Sequence, residues 1–293
     1  MKLQGIYPPV TTPFDHAGNV YVTKVQHNIE KWNKTTLAGY VVCGSTGEDV
    51  FLSSEEKSGL FELVARHAAP EKLLIAGTGQ ESVKETICLT NRAAELGYKA
   101  ALVRTPNYFK TQMTQPATQM VFFRAVADQA RIPLLLYNFP QVTGVDLPAE
   151  TVVALSEHPN IIGIKDSSGN VQRIMDIVRE AGPDFQVLTG SAQVLLPALL
   201  MGAVGGILAF ANPAPYAAIA IWEAFRSREE EAARDWQNRV GRAAARTAKH
   251  GVPGLKHAMD LNGYYGGPPR LPLGVPTPEA KRDIAEAFQD LKG

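Results

Sequence analysis

Short apolar runs alternate with longer amphipathic stretches along the first two-thirds of the chain. The runs at 5–10, 39–43, 73–76, 100–104, 134–137, 161–165, 186–189 and 205–209 are mostly Val, Ile, Leu, Ala and Gly. Few of them alternate with polar residues, which is the pattern of strands buried on both faces. Between them lie helix-length stretches at 23–37, 54–68, 82–96, 115–130 and 171–180, several opened by a capping residue such as Ser53 or Ser54. Repeated βα units imply a parallel sheet, either doubly wound or closed into a barrel, and eight repeats favour the (β/α)8 TIM barrel. After about residue 212 the strand signal stops. Residues 217–248 read as charged, alanine-rich helix, followed by a Gly/Pro-rich segment and a last helix over 278–291. The expected organisation is a (β/α)8 barrel over 1–224 and a C-terminal helical domain over 225–293.

One stretch tests that reading. Residues 194–211 carry no charge over 18 positions, the length at which a membrane helix is suspected. Pro197, Gly202, Gly205 and Gly206 divide it into a helix, a glycine turn and a short strand, as expected of a buried αβ unit. The N-terminus has neither a signal-peptide core nor an Arg-rich transit segment, so a cytoplasmic location is expected. Lys+Arg and Asp+Glu are 29 each among 293 residues, which leaves no basic field for nucleic acid or an anionic membrane. Cys43 and Cys88 lack CxxC or Cys/His ligand spacing, arguing against a zinc site or disulfide framework and for a reducing compartment. Cys43 reads as a small core residue rather than a reactive thiol. Gly77-Thr78-Gly79 is an incomplete dinucleotide fingerprint and no GxxxxGK[ST] occurs, so no nucleotide cofactor is indicated.

In an α/β barrel the chemistry gathers at the C-terminal strand ends. Lys165 ends the run Ile161-Ile162-Gly163-Ile164, and Tyr137 ends Leu134-Leu135-Leu136 on the preceding strand. A desolvated lysine is a nucleophilic amine able to form a Schiff base with a carbonyl substrate, and a phenol is a suitable proton carrier beside it. The alternatives are a snorkelling surface lysine and a buried ion pair with Asp166. Gly44-Ser45-Thr46-Gly47-Glu48 follows the second strand, with hydroxyls and backbone N–H groups suited to cradling a small carboxylate. Tyr108 follows the fourth strand, Ser167 the sixth and Gly190-Ser191 the seventh, while Ile207 lies in the eighth.

Three segments carry a family resemblance: GSTGE at 44–48, YNFP and TG within 137–144, and IIGIKDSSG at 161–169. They resemble the dihydrodipicolinate synthase / N-acetylneuraminate lyase family of class I, Schiff-base-forming (β/α)8 aldolases, over nearly the whole chain. A finer resemblance, to 4-hydroxy-2-oxoglutarate aldolases, rests on GIYPPVTTPF at 5–14, EHPNIIGIKDSSG at 157–169, DFQVLTGSA at 184–192, GAVGGILAFAN at 202–212 and GVPGLKHAMDLNGYYGGPPRLPL at 251–273. The resemblance implies Lys165 as the Schiff-base lysine and Tyr137 as the proton shuttle. It implies that Ser45 and Thr46, with Gly47, bind the keto-acid carboxylate, and that Tyr108 reaches a neighbouring subunit's site in a homotetramer built as a dimer of dimers. Ser167, Gly190 and Ile207 complete the expected substrate-binding set. No metal and no diffusible cofactor is expected, the covalent lysine imine serving instead.

Two departures bear on the substrate's far end. Dihydrodipicolinate synthases carry an arginine for the distal carboxylate where this chain has Val142, and a valine cannot anchor an anion. Thr46 stands where 4-hydroxy-2-oxoglutarate aldolases tend to carry asparagine. Arg104 is a candidate replacement cation if strand alternation turns it into the barrel. The expected reaction is cleavage of a 4-hydroxy-2-oxo acid, foremost 4-hydroxy-2-oxoglutarate, to pyruvate and glyoxylate. A 2-oxo-3-deoxy sugar-acid aldolase or dehydratase, a dihydrodipicolinate synthase and a non-catalytic keto-acid-binding scaffold are the alternatives.

Overall fold

A computed structural model describes residues 1–291; Lys292 and Gly293, the end of the expected helical domain, lie outside the described residues. The eight strands are β1 (Gly5–Tyr7), β2 (Gly39–Val42), β3 (Leu73–Gly77), β4 (Ala100–Arg104), β5 (Leu134–Asn138), β6 (Ile161–Asp166), β7 (Gln186–Thr189) and β8 (Gly205–Ile207). Between them run α1 (Val22–Asn33), α2 (Ser54–His67), α3 (Val83–Glu95), the short α4 (Lys110–Met113), α5 (Pro116–Ala127), the short α6 (Pro140–Thr143), α7 (Ala149–Ser156), α8 (Val171–Glu180) and α9 (Leu195–Leu200). All pairings between strands are parallel; β1 pairs with β8, and Pro9, just beyond β1, bridges Val41 of β2. Closure against β2 uses Val10 N–H to Val41 O at 2.9 Å and Val41 N–H to Pro8 O at 3.0 Å. The eight-strand barrel is therefore a closed sheet, as the alternating pattern predicts.

Strand alternation sorts the residues into layers. Leu135 and Tyr137 of β5 pack inward with Tyr7, Ile75, Leu102, Leu188 and Ile207, whereas Leu134 and Leu136 face the surrounding helices. Burial pushes the Tyr7 phenol up to about 12, so this inward tyrosine stays protonated as packing material. Helix boundaries follow capping chemistry: Ser53 and Glu56 form a reciprocal capping box on α2, and Ser82 caps α3.

The C-terminal third departs from its sequence reading in two places. The helix expected over 217–248 is two, α10 (Pro215–Arg226) and α11 (Glu230–Lys249), broken at Arg228, whose φ of 60° lies in the left-handed region. The Gly/Pro-rich segment begins as a helix, α12 (Gly251–Leu261), before α13 (Pro278–Ala287) closes the described chain. Pro253 sits in the first turn of α12, where its missing N–H has no helical partner to lose. Gln237 of α11 fixes the β7–α9 turn: it accepts from Leu196 N at 2.7 Å and donates to Ala192 O at 2.9 Å. Helices α11 and α12 thus lie against the C-terminal end of the barrel. Among the described residues no helix is long and apolar enough to cross a membrane.

Candidate active site

The C-terminal strand ends open into a cavity of about 730 Å³. Its floor includes Ser45, Thr46, Tyr137, Lys165, Ser167 and Gly190, and its far wall is Thr247, Val252 and Leu255 of α11 and α12. Tyr137 and Lys165 are register partners across β5 and β6, so both side chains project from the same level of the barrel. Lys165 Nζ lies 4.1 Å from the centroid of the Tyr137 ring. Lys165 is 3% exposed and Tyr137 5%. The Tyr137 hydroxyl is 3.4 Å from Ser45 Oγ, which links the phenol to the turn after β2.

Asp166 is not the counter-ion of that lysine. It is fully buried on the opposite face of β6, accepts from Asn138 Nδ2 at 2.9 Å, Ser168 N at 3.0 Å and Ser168 Oγ, and lies 3.9 Å from Arg173 Nε. Neither alternative for Lys165 matches this geometry: the amine is buried, and no ion pair to it occurs among the described residues. Gly190 packs directly on it, because a Cβ there would stand 3.0 Å from Lys165 Cε and 2.8 Å from Ser167 Cβ.

The turn holding Ser45, Thr46 and Gly47 is a single 3-10 turn bracketed by two non-glycine residues with positive φ, Cys43 at 58° and Glu48 at 59°. Such conformations persist only where surrounding contacts impose them. Gly77 lets β3 approach, since a Cβ there would meet Cys43 O at 2.1 Å. Thr12 Oγ1 donates to Gly47 O at 2.7 Å, and Glu48 is buried against Lys256 and Arg270.

The remaining expected residues are not gathered at one point. Gly47 is the buried last residue of the turn and does not line the cavity, and Ile207 lies in the barrel interior, whereas Ala209 and Phe210 line the cavity. Tyr108 stands 79% exposed on the β4–α4 loop, its ring edge-on to Phe109 at 5.2 Å, with its N–H held by Glu81 at 3.0 Å. Arg104 has the inward parity of Ala100 and Leu102, yet its guanidinium is held by Glu81 at 2.9 Å and lies 4.0 Å from Asp49, outside the main cavity. Burial pushes the Asp49 carboxyl above the usual range, with Arg104 and Lys57 opposing. Lys165 is the one cationic side chain among the cavity's lining residues, and Val142 is among them. The far wall was missed from sequence because α12 reads as a Gly/Pro loop; the Leu255 and Met259 spacing of four was the available signal. No group of three or more His, Cys, Asp or Glu among the described residues is placed to hold a metal ion.

A family model described as the dihydrodipicolinate synthetase family matches residues 2–291. The chain is 38% identical over 292 residues to a probable mitochondrial 4-hydroxy-2-oxoglutarate aldolase of Emericella nidulans, covering 98% of this chain and 94% of the relative. It is 35% identical over 298 residues to a 4-hydroxy-tetrahydrodipicolinate synthase of Methanothrix thermoacetophila, covering 99% and 98%. Among solved structures, dihydrodipicolinate synthase DapA-2 of Bacillus anthracis superposes with a TM-score of 0.94 at 29% identity, covering 99% and 98% of the two chains. YagE of Escherichia coli K12, solved in complex with pyruvate, gives 0.93 at 28% identity, covering 99% of each.

Proposed function

We propose that this chain, which belongs to the dihydrodipicolinate synthetase family, cleaves 4-hydroxy-2-oxoglutarate to pyruvate and glyoxylate through an imine on Lys165. The coarser statement stands without the proposal: the chain is a carbon–carbon lyase of the class I, pyruvate-dependent kind. The observation that carries the imine is the buried, unpaired Lys165 amine lying 4.1 Å from the Tyr137 ring, with Ser45 within 3.4 Å of the phenol, while the choice of substrate rests on the likeness to the aldolase relative and on Val142 in the cavity wall.

The chemistry follows from electron demand. Breaking C3–C4 leaves an electron pair on C3, which a protonated imine accepts far better than a ketone. The Lys165 Nζ lone pair adds to C2, Tyr137 carries protons as the carbinolamine loses water, and the C1 carboxylate rests on the Ser45-Thr46-Gly47 turn. Tyr137 then takes the C4 hydroxyl proton, C3–C4 breaks, glyoxylate leaves, and the bond pair becomes the enamine. Protonation at C3 and addition of water release pyruvate and restore the amine. Ser167 and Gly190 flank the lysine and confine the substrate there, while Ile207 supports the floor from below. Tyr108 from a second subunit extends the proton path in a dimer of dimers.

The synthase relatives supply the competing reading, and Val142 disfavours it: the cavity lining offers no guanidinium to hold a distal carboxylate. The test is reduction of the protein with borohydride in the presence of pyruvate, read by peptide mass. A label on a peptide containing Lys165, together with pyruvate release fastest from 4-hydroxy-2-oxoglutarate in a panel of 4-hydroxy-2-oxo acids, is the expected result. A label elsewhere, or faster condensation of pyruvate with aspartate semialdehyde, refutes it.

A further inference from the structure

The C-terminal motif at 251–273 contributes more than a wall. Leu255 lines the cavity, and the next residue, Lys256, is fully buried and turned to the underside of the turn after β2. Lys256 Nζ lies 2.5 Å from Glu48 Oε1 as a contact of charges, while its N–H groups are directed to Thr12 O at 2.8 Å and Pro268 O at 3.0 Å. The other Glu48 oxygen accepts the Arg270 backbone N–H at 2.8 Å. Thr12 in turn donates its hydroxyl to Gly47 O at 2.7 Å. Lys256 therefore grips the last two residues of the turn, Glu48 directly and Gly47 through Thr12.

The grip continues outward. Arg270 donates to both Glu56 oxygens at 2.7 and 2.6 Å and to the carbonyls of Phe51 at 2.8 Å and Gly18 at 2.6 Å. Lys256 and Arg270 both lie over the Phe14 ring, at 4.5 and 4.4 Å from its centroid. An ion pair this deep is a poor way to gain stability, because well-packed apolar residues serve as well or better. What it offers is direction, and Glu48 needs it: its φ of 59° is a conformation that a non-glycine residue keeps only under constraint.

We propose that Glu48 and Lys256, steadied by Arg270, are positioning residues that hold the Ser45-Thr46-Gly47 turn in the shape that receives the carboxylate of the 2-oxo acid. The proposal rests on the reading of that turn given above. It makes the C-terminal segment part of substrate selection, through two residues that touch neither substrate nor lysine.

The experiment compares pyruvate with pyruvamide, its neutral analogue, by borohydride trapping against ligand concentration in wild type, Glu48→Gln, Lys256→Met and the double variant. Urea unfolding followed by circular dichroism monitors the fold. Glu48→Gln should weaken half-saturation by pyruvate about tenfold and leave that by pyruvamide within about twofold, with trapping at saturation little changed. Lys256→Met should show the same split more strongly, and where it fails to fold, Glu48→Gln and the double variant carry the test. The double variant, free of an uncompensated buried charge, should regain stability without regaining the preference for pyruvate. Recovery of both together, equal losses for both ligands, or unchanged half-saturation in folded Glu48→Gln overturns the proposal. A wild type that traps pyruvate no better than pyruvamide overturns the carboxylate reading of the turn as well.

Discussion

Gly190→Ala is the smallest change that should reach the Lys165 side chain. A methyl at that position would stand 1.8 Å from Ser167 Oγ, 2.8 Å from Ser167 Cβ and 3.0 Å from Lys165 Cε. The hydroxyl can swing to another rotamer, but the two carbon contacts fall short of the comfortable separation of about 3.5–4.0 Å. Lys165 or the β6–β7 backbone must therefore yield by about 0.5–1 Å. A displacement of about 1 Å at a reacting group costs about a hundredfold, so kcat/KM should fall about 10- to 100-fold, or about 1.4–2.7 kcal/mol. Overpacking adds a stability loss of about 1–3 kcal/mol, which urea unfolding measures separately. The assay is pyruvate release together with the borohydride trapping rate at saturating pyruvate, and both should drop. Gly182→Ala is the control, since nothing lies within 4 Å of a Cβ there. A Gly190→Ala protein that traps pyruvate at the wild-type rate would refute the claim that this glycine sets the lysine's position.

Further outcomes are expected elsewhere in the site and fold. Tyr137→Phe should keep the fold and lose about 10²–10⁴-fold in turnover, a proton-transfer loss that trapping of preformed imine separates from binding. Mixing inactive Lys165→Ala protomers with Tyr108→Phe protomers should restore some activity; if mixed dimers form and none returns, Tyr108 does not act across subunits. Hydrogen bonding from Arg270 holds the Glu56 carboxyl below its ordinary range. That pair therefore stabilises the fold above the unfolded carboxylate value of about 4.3 and is lost as pH falls through the lower folded value. Glu56→Gln should lower stability at pH 7 by on the order of 1 kcal/mol, since the pair is partly open to solvent, and flatten the acid decline; an unchanged acid limb in urea titrations would count against it.

What could be read from the sequence was whatever has a local signature. The strands over 100–104 and 186–189 and the helix over 171–180 match their elements to the residue, because buried parallel strands and amphipathic helices repeat at fixed periods. Lys165 and Tyr137 were legible for the same reason, each being a polar residue ending an apolar run. The break between α10 and α11 was not, since Ser227-Arg228-Glu229 contains neither Gly nor Pro. Nor was the partnership of Glu48 with Lys256, because pairing between distant segments leaves no periodic trace in either. Helix α12 was hidden by its own opening, where Gly251, Pro253 and Gly254 mimic a loop although a first turn tolerates them.

The far wall of the cavity also sets a timetable. Every strand of the barrel, Lys165 included, is synthesised before the chain reaches Leu255, Lys256 and Arg270. At about 5–20 residues per second, the 49 residues from Leu208 to Lys256, made after β8 is complete, take about 2.5–10 s. For that interval the cavity mouth around Lys165 lacks its far wall, and the turn after β2 lacks the lysine that contacts Glu48 from below. A premature stop between codons 208 and 256 would leave that condition permanent.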